Sequence, residues 1–204
     1  MDKKEAPIEH LQNFLPPHTF EAVLLYLKQY HVQLTIARER KSILGDYRHA
    51  MPGKNHRISV NGNLNRYSFL ITLIHELAHL LQYEKYGNRV YAHGKEWKAI
   101  FGQLLSQFIE NIFPPDIKEA LHRSINNAAA SSCADEQLLK SLKKYDSQDS
   151  NLKMVEDLSP LSLFRTHDGK IFRKENKLRK RFQCIEVKSG RKYLFSPVYE
   201  VEPV

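Results

Sequence analysis

Leu73-Ile74-His75-Glu76-Leu77-Ala78-His79-Leu80-Leu81 sets two imidazoles four residues apart, around a glutamate, inside an apolar run. On an α-helix, positions i and i+4 lie one above the other on one face, so His75 and His79 can grip one metal ion. Glu76 stands one residue round from His75, within reach of a water on that ion. The flanking residues favour a helix. From Tyr67 to Tyr86 there is neither proline nor glycine, and Leu70, Leu73, Ile74, Leu77, Leu80 and Leu81 recur at helical spacing. Asn65 is placed to cap the start and Gly87 to end it, which predicts a helix of about 20 residues. Its aliphatic residues are expected to face the core, with the histidines on another stripe that opens on a cleft.

The spacing is that of H-E-x-x-H, in which two histidines bind zinc and the glutamate is the general base. A catalytic zinc takes three protein ligands and keeps one position for water. After Gly87, His93-Gly94-Lys95-Glu96-Trp97-Lys98 opens another helix, which Ile100, Phe101, Leu104, Leu105 and Phe108 continue. His93 is the first choice for third ligand, because an imidazole at a helix start beside Gly94 can swing in freely. Glu96 would instead give two histidines and a glutamate, and Glu84 lies near the far end of the first helix. The compact pattern H-E-x-x-H-x-x-G-x-x-H fails, since Gln82 and Lys85 stand at its glycine and last-histidine positions. Trp97 is expected to pack beneath the site. Tyr83, Tyr91, His49 and His56 are all candidate donors to a tetrahedral intermediate, and the sequence does not choose among them.

Upstream, an amphipathic stretch from Pro7 to Leu15 stops at Pro16-Pro17, and a helix pattern runs from Thr19 to Tyr30. Val32–Ile36, Ser42–Tyr47 and Arg57–Val60 read as strands of a small antiparallel sheet. If the last of these lies along the cleft, its free backbone groups could pair with an extended peptide. Downstream, Pro114-Pro115 starts a helix that fades into Asn126–Ser132, where the domain edge is expected. A further helix is predicted over Leu138–Tyr145 and a loose link over Asp146–Asn151. Strands follow at Lys170–Arg173, Arg181–Val187 and Lys192–Phe195.

At 204 residues and 42% hydrophobic, the chain can hold one medium domain and a small one. No apolar h-region follows Met1-Asp2-Lys3-Lys4-Glu5, and no apolar run approaches membrane-spanning length, so a soluble chain is expected. The two cysteines, Cys133 and Cys184, have no partner at metal-binding spacing and suit a reducing cytoplasm. The net charge of +8 is concentrated between Arg165 and Lys192, where 11 basic residues face 3 acidic ones. Such a field suits a polyanion, most simply nucleic acid, or serves only as a solvated surface. Phe164, Phe172, Phe182, Tyr193 and Phe195 interleave with these cations, as stacking platforms for single-stranded bases or as the core of a small sheet.

His75-Glu76-Leu77-Ala78-His79, followed by His93-Gly94-Lys95-Glu96-Trp97-Lys98, resembles the SprT-like domain of bacterial SprT proteins and eukaryotic Spartan proteases, over roughly Phe14 to Phe113. The resemblance implies a zinc metallopeptidase with one catalytic zinc held by His75, His79 and His93, and with Glu76 as catalytic base. In the Spartan branch it also implies DNA-dependent cleavage of proteins trapped on DNA. SprT-like proteins commonly end in a four-cysteine zinc ribbon, whereas this chain has only Cys184 in that region. The expected fold class is therefore α+β. A helical, zincin-like metallopeptidase domain with a small antiparallel sheet occupies residues 1–130, a helical and polar linker 131–160, and a basic β-rich region, ribbon-like without the cysteines, 161–204. The expected function is a cytoplasmic zinc-dependent endopeptidase acting on protein or peptide through a Glu76-activated, zinc-bound water, with nucleic acid as a partner through residues 165–192. The alternative is a non-enzymatic zinc-containing protein that binds nucleic acid or regulates.

Overall fold

The computed structural model describes residues 7–40, 43–126, 135–146 and 151–204. The expected domain edge after Asn126, the start of the second predicted strand, Cys133 and residues 147–150 lie outside these. The chain divides into two units, Met1–Asp146 and Ser147–Val204. Helices and two sheets, one three-stranded and one six-stranded, make this an α+β protein.

The first unit begins with a 3-10 turn, Ile8–Asn13, and helix α1, Phe20–Gln29. Strands β1 (Gln33–Ala37), β2 (Gly45–Arg48) and β3 (Arg57–Asn61) follow. Their order is β1-β3-β2, with β1 parallel to β3 and β2 antiparallel to it. The sheet is thus mixed rather than antiparallel, and β3 is its centre rather than its exposed edge. Physically, β3 is the strand with two enclosed aliphatics, Ile58 and Val60, and so takes partners on both sides. The sheet's edges are β1 and β2, and β2 is the one on which the helix that follows β3 packs. Because Asn61 N donates to Leu44 O at 2.9 Å, the antiparallel register turns the backbone groups of Gly45 and Tyr47 outward from the sheet.

Helix α2, Arg66–Tyr86, is the axis of the unit. The Asn65 side chain accepts from Ser68 N at 2.9 Å, and Gly87 ends the helix at φ 58°, a left-handed angle that glycine tolerates. Every residue from Phe69 to Ala78 is buried, so α2 is enclosed on nearly all sides and not only on an aliphatic face. Helix α3, Lys95–Ile112, packs on it through Trp97, Phe101, Leu104 and Leu105, which join Leu70, Leu73 and Leu77 in one core. Helices α4 (Pro115–Asn126) and α5 (Glu136–Lys143) complete the unit. Leu138 and Leu142 of α5 belong to that core, and Asn65 Nδ2 donates to Leu142 O at 3.0 Å. The helix expected within the 131–160 linker is therefore part of the first unit, while residues from 151 onward belong to the second.

The second unit is a six-stranded antiparallel sheet. It comprises β4 (Lys153–Met154), β5 (Leu163–Arg165), β6 (Ile171–Leu178), β7 (Arg181–Glu186), β8 (Lys192–Phe195) and β9 (Glu200–Pro203), in the order β4-β9-β5-β6-β7-β8. Its core is Val155, Leu158, Phe164, Phe172, Cys184 and Val201, with Phe182 and Phe195 packed against it. The phenylalanines thus build the sheet's interior. Lys174 enters this core and donates from Nζ to the Glu156 and Leu158 carbonyls at 3.0 and 2.6 Å, which satisfies its ammonium. No helix among the described residues is long and apolar enough to cross a membrane.

Candidate metal centre

The i, i+4 geometry of α2 sets His75 and His79 on one stripe, and the turn before α3 brings His93 to them. The His75 and His79 Nε2 atoms lie 3.2 Å apart, and His93 Nε2 is 3.0 Å from each. Among the described residues this is the one group of three or more His, Cys, Asp or Glu side chains whose ligand atoms converge closely enough to hold a metal ion. Nitrogens placed tetrahedrally about 2.05 Å from a zinc ion stand roughly 3.3 Å apart, so the observed triangle is close to the size such an ion needs. Burial runs from His75, 7% exposed, through His79 to the exposed His93, so the centre opens on the His93 side.

The electrostatics suit a cation as well. Burial pushes His75 down to about 3, with His79 and His93 adding to the effect, and burial pushes His79 down to about 4. His93 is lowered for the same reason. All three rings are therefore neutral near pH 7, the form that offers a lone pair to a metal. All-imidazole ligation fits zinc among common ions, and a three-ligand set leaves a fourth position open.

Trp97 forms the floor, its ring centroid 4.6 Å from that of His75 and 4.7 Å from that of His93, with Phe101 stacked beneath it at 4.9 Å. Glu76 is 6% exposed, and its carboxyl group is raised to about 8, first by burial, then by the Asp46 charge, against an opposing pull from Arg40. Edge strand β2 seats directly on it: a Cβ at Gly45 would lie 2.5 Å from Glu76 Oε1 and 2.8 Å from Thr72 Cγ2. The Arg40 guanidinium binds Asn61 Oδ1 at 2.7 Å and Ser59 Oγ at 2.9 Å, while Asn61 Nδ2 returns bonds to the Arg40 and Ile43 carbonyls. These bonds tie Arg40 and Ile43 to β3.

The other residues singled out by sequence separate clearly. Glu84 turns to His56, 3.3 Å from its Nε2, and Glu96 lies beside Gly94 and Lys95; neither joins the group of ligand atoms. His56 is buried, its Nδ1 engaged by the Tyr47 hydroxyl and Ala50 N. Tyr91 is 90% exposed. His49 and Tyr83 stack on each other at 4.5 Å, Tyr83 standing one helical turn beyond His79 on the histidine stripe. Sequence reasoning passed over Gly45, Arg40, Asn61 and Gln82. A glycine inside a strand pattern is a sign of close backbone approach, and Gly45 carried that sign.

The SprT-like family model matches residues 12–119. No curated protein and no solved structure matches the chain. The match takes in α1, the mixed sheet, all three histidines, Glu76 and α3, and it carries a metal-binding and metallopeptidase theme. On this match, over more than half of its length, the chain belongs to the SprT-like family.

Proposed function

We propose that this protein is a zinc-dependent endopeptidase, with His75, His79 and His93 holding one zinc ion and Glu76 as general base, on a zincin-like pairing of helix and edge strand. The observation that carries the reading is the meeting of three Nε2 atoms at 3.0–3.2 Å, with the buried Glu76 following His75 on α2. Bound zinc supplies Lewis-acid polarisation of a peptide carbonyl and of a water molecule. Glu76 accepts the proton of the attacking water on its carboxylate and passes it to the departing amine nitrogen. Its raised pKa, about 8 in the metal-free chain, reflects a desolvated position in which a carboxyl group exchanges protons near neutral pH. The substrate lies as an added strand along β2, pairing with the outward backbone groups of Gly45 and Tyr47. Glu76→Gln tests the role: zinc content stays at the wild-type level while cleavage of an unfolded protein disappears. A variant that digests normally removes Glu76 from the mechanism.

Nucleic acid is the proposed partner of the second unit, in the cytoplasm. Three of its cations are neutralised in ion pairs, Arg165 with Glu202, Lys170 with Asp168 and Arg173 with Glu175, and Lys174 is enclosed. Among the described residues the exposed Lys177, Arg179, Lys180 and Arg181 at the β6–β7 turn have no acidic partner, nor have Lys188, Arg191 and Lys192 around the β7–β8 turn. With the phenylalanines committed to the core, this surface favours phosphate contacts over base stacking.

A further inference from the structure

Gln82, three residues after His79 on α2, is 6% exposed. Its Nε2 donates to the Tyr91 carbonyl at 2.9 Å. The Tyr91 carbonyl also accepts from Gly94 N at 3.0 Å, closing the turn that carries His93. That turn holds His93 at φ 59°, a left-handed conformation that a residue with a Cβ keeps only when its surroundings impose it.

We propose that Gln82 is a positioning residue of the metal centre: its carboxamide, through the Tyr91 carbonyl, ties α2 to the strained turn that presents His93. The third imidazole then meets the other two before any ion arrives. The task needs an N–H donor, which glutamate lacks when ionised and methionine lacks altogether. The inference rests on the metal reading above and is independent of proteolysis.

The test compares the full-length wild type with Gln82→Met and Gln82→Glu. Zinc affinity is read by competition with a chromophoric chelator, and turn integrity by amide exchange at Gly94 in the metal-free proteins. Both variants are expected to bind zinc about 10- to 100-fold more weakly and to exchange Gly94 faster than wild type. Metal-free melting shows whether Gln82→Met still folds; if it does not, Gln82→Glu decides. Equal zinc affinity or wild-type exchange in a folded variant overturns the positioning role alone. A wild type that takes up no zinc overturns the metal reading itself.

Discussion

Gly45→Ala places one methyl group where β2 meets the Glu76 carboxylate. The new carbon would sit 2.5 Å from Glu76 Oε1, 2.8 Å from Thr72 Cγ2 and 2.9 Å from Glu76 Cγ, against about 3.5–4.0 Å for relaxed carbon contacts. Thr72 and Glu76 are both buried on a helix that is itself enclosed, so neither side can yield cheaply. Overpacking of this kind costs about 1–3 kcal/mol. Alanine returns roughly 0.5–1 kcal/mol through lower unfolded-state entropy, since the angles at Gly45 are not left-handed. The net expectation is a loss of about 1–2 kcal/mol, or a Tm lower by roughly 2–8 °C. Turnover should suffer more than stability. Displacing a reacting group by 1 Å costs on the order of 100-fold in rate, and the methyl forces either Glu76 or the substrate-binding strand aside. Zinc affinity should stay within about twofold, because none of the three histidines is among the atoms a Cβ at Gly45 would meet. Chelator competition, thermal melting and cleavage of an unfolded substrate measure the three quantities. Wild-type turnover in Gly45→Ala would refute the seating of β2 on Glu76, and a variant that no longer binds zinc would refute the separation of base from ligands.

Further expectations follow from the same geometry. His93→Ala should lower zinc affinity by several orders of magnitude, because it removes one of three nitrogens; unchanged zinc content would return Glu96 to consideration. The metal-free protein should lose stability in acid. His75 has a folded pKa of about 3 against 6.5 unfolded, so below pH 6.5 the unfolded chain binds the extra proton. Its contribution, on the order of 5 kcal/mol, is complete above pH 6.5 and lost as pH falls towards 3; urea melts of wild type and His75→Asn across that window should diverge, and parallel curves would contradict the shift. Replacing Lys177, Arg179, Lys180 and Arg181 by alanine should weaken nucleic-acid binding by the full chain and flatten the slope of log K against log salt by about 0.7–0.9 for each phosphate that is no longer neutralised. An unaltered slope would place the nucleic acid elsewhere on the surface.

Helix α2 and its two histidines were legible because everything that specifies them is local: a cap at Asn65, a terminator at Gly87 and a 3.6-residue period between. His93 was legible from the histidine-glycine start of α3. The sheet was less so, since alternation with period 2 is identical in parallel and antiparallel strands, and only the enclosure of Ile58 and Val60 made β3 central. β4 and β5 went unread because two or three residues are too few to show a pattern, and β9 because its one aliphatic residue, Val201, marks no alternation. The sequence by itself therefore determined which residues can bind a metal ion and on which elements they stand. The tertiary structure alone decided how near they come, that β2 lies on Glu76, and that Gln82 of α2 bonds the Tyr91 carbonyl of the His93 turn. Those relations join groups distant along the chain, and such pairings are chosen by packing rather than by any local preference.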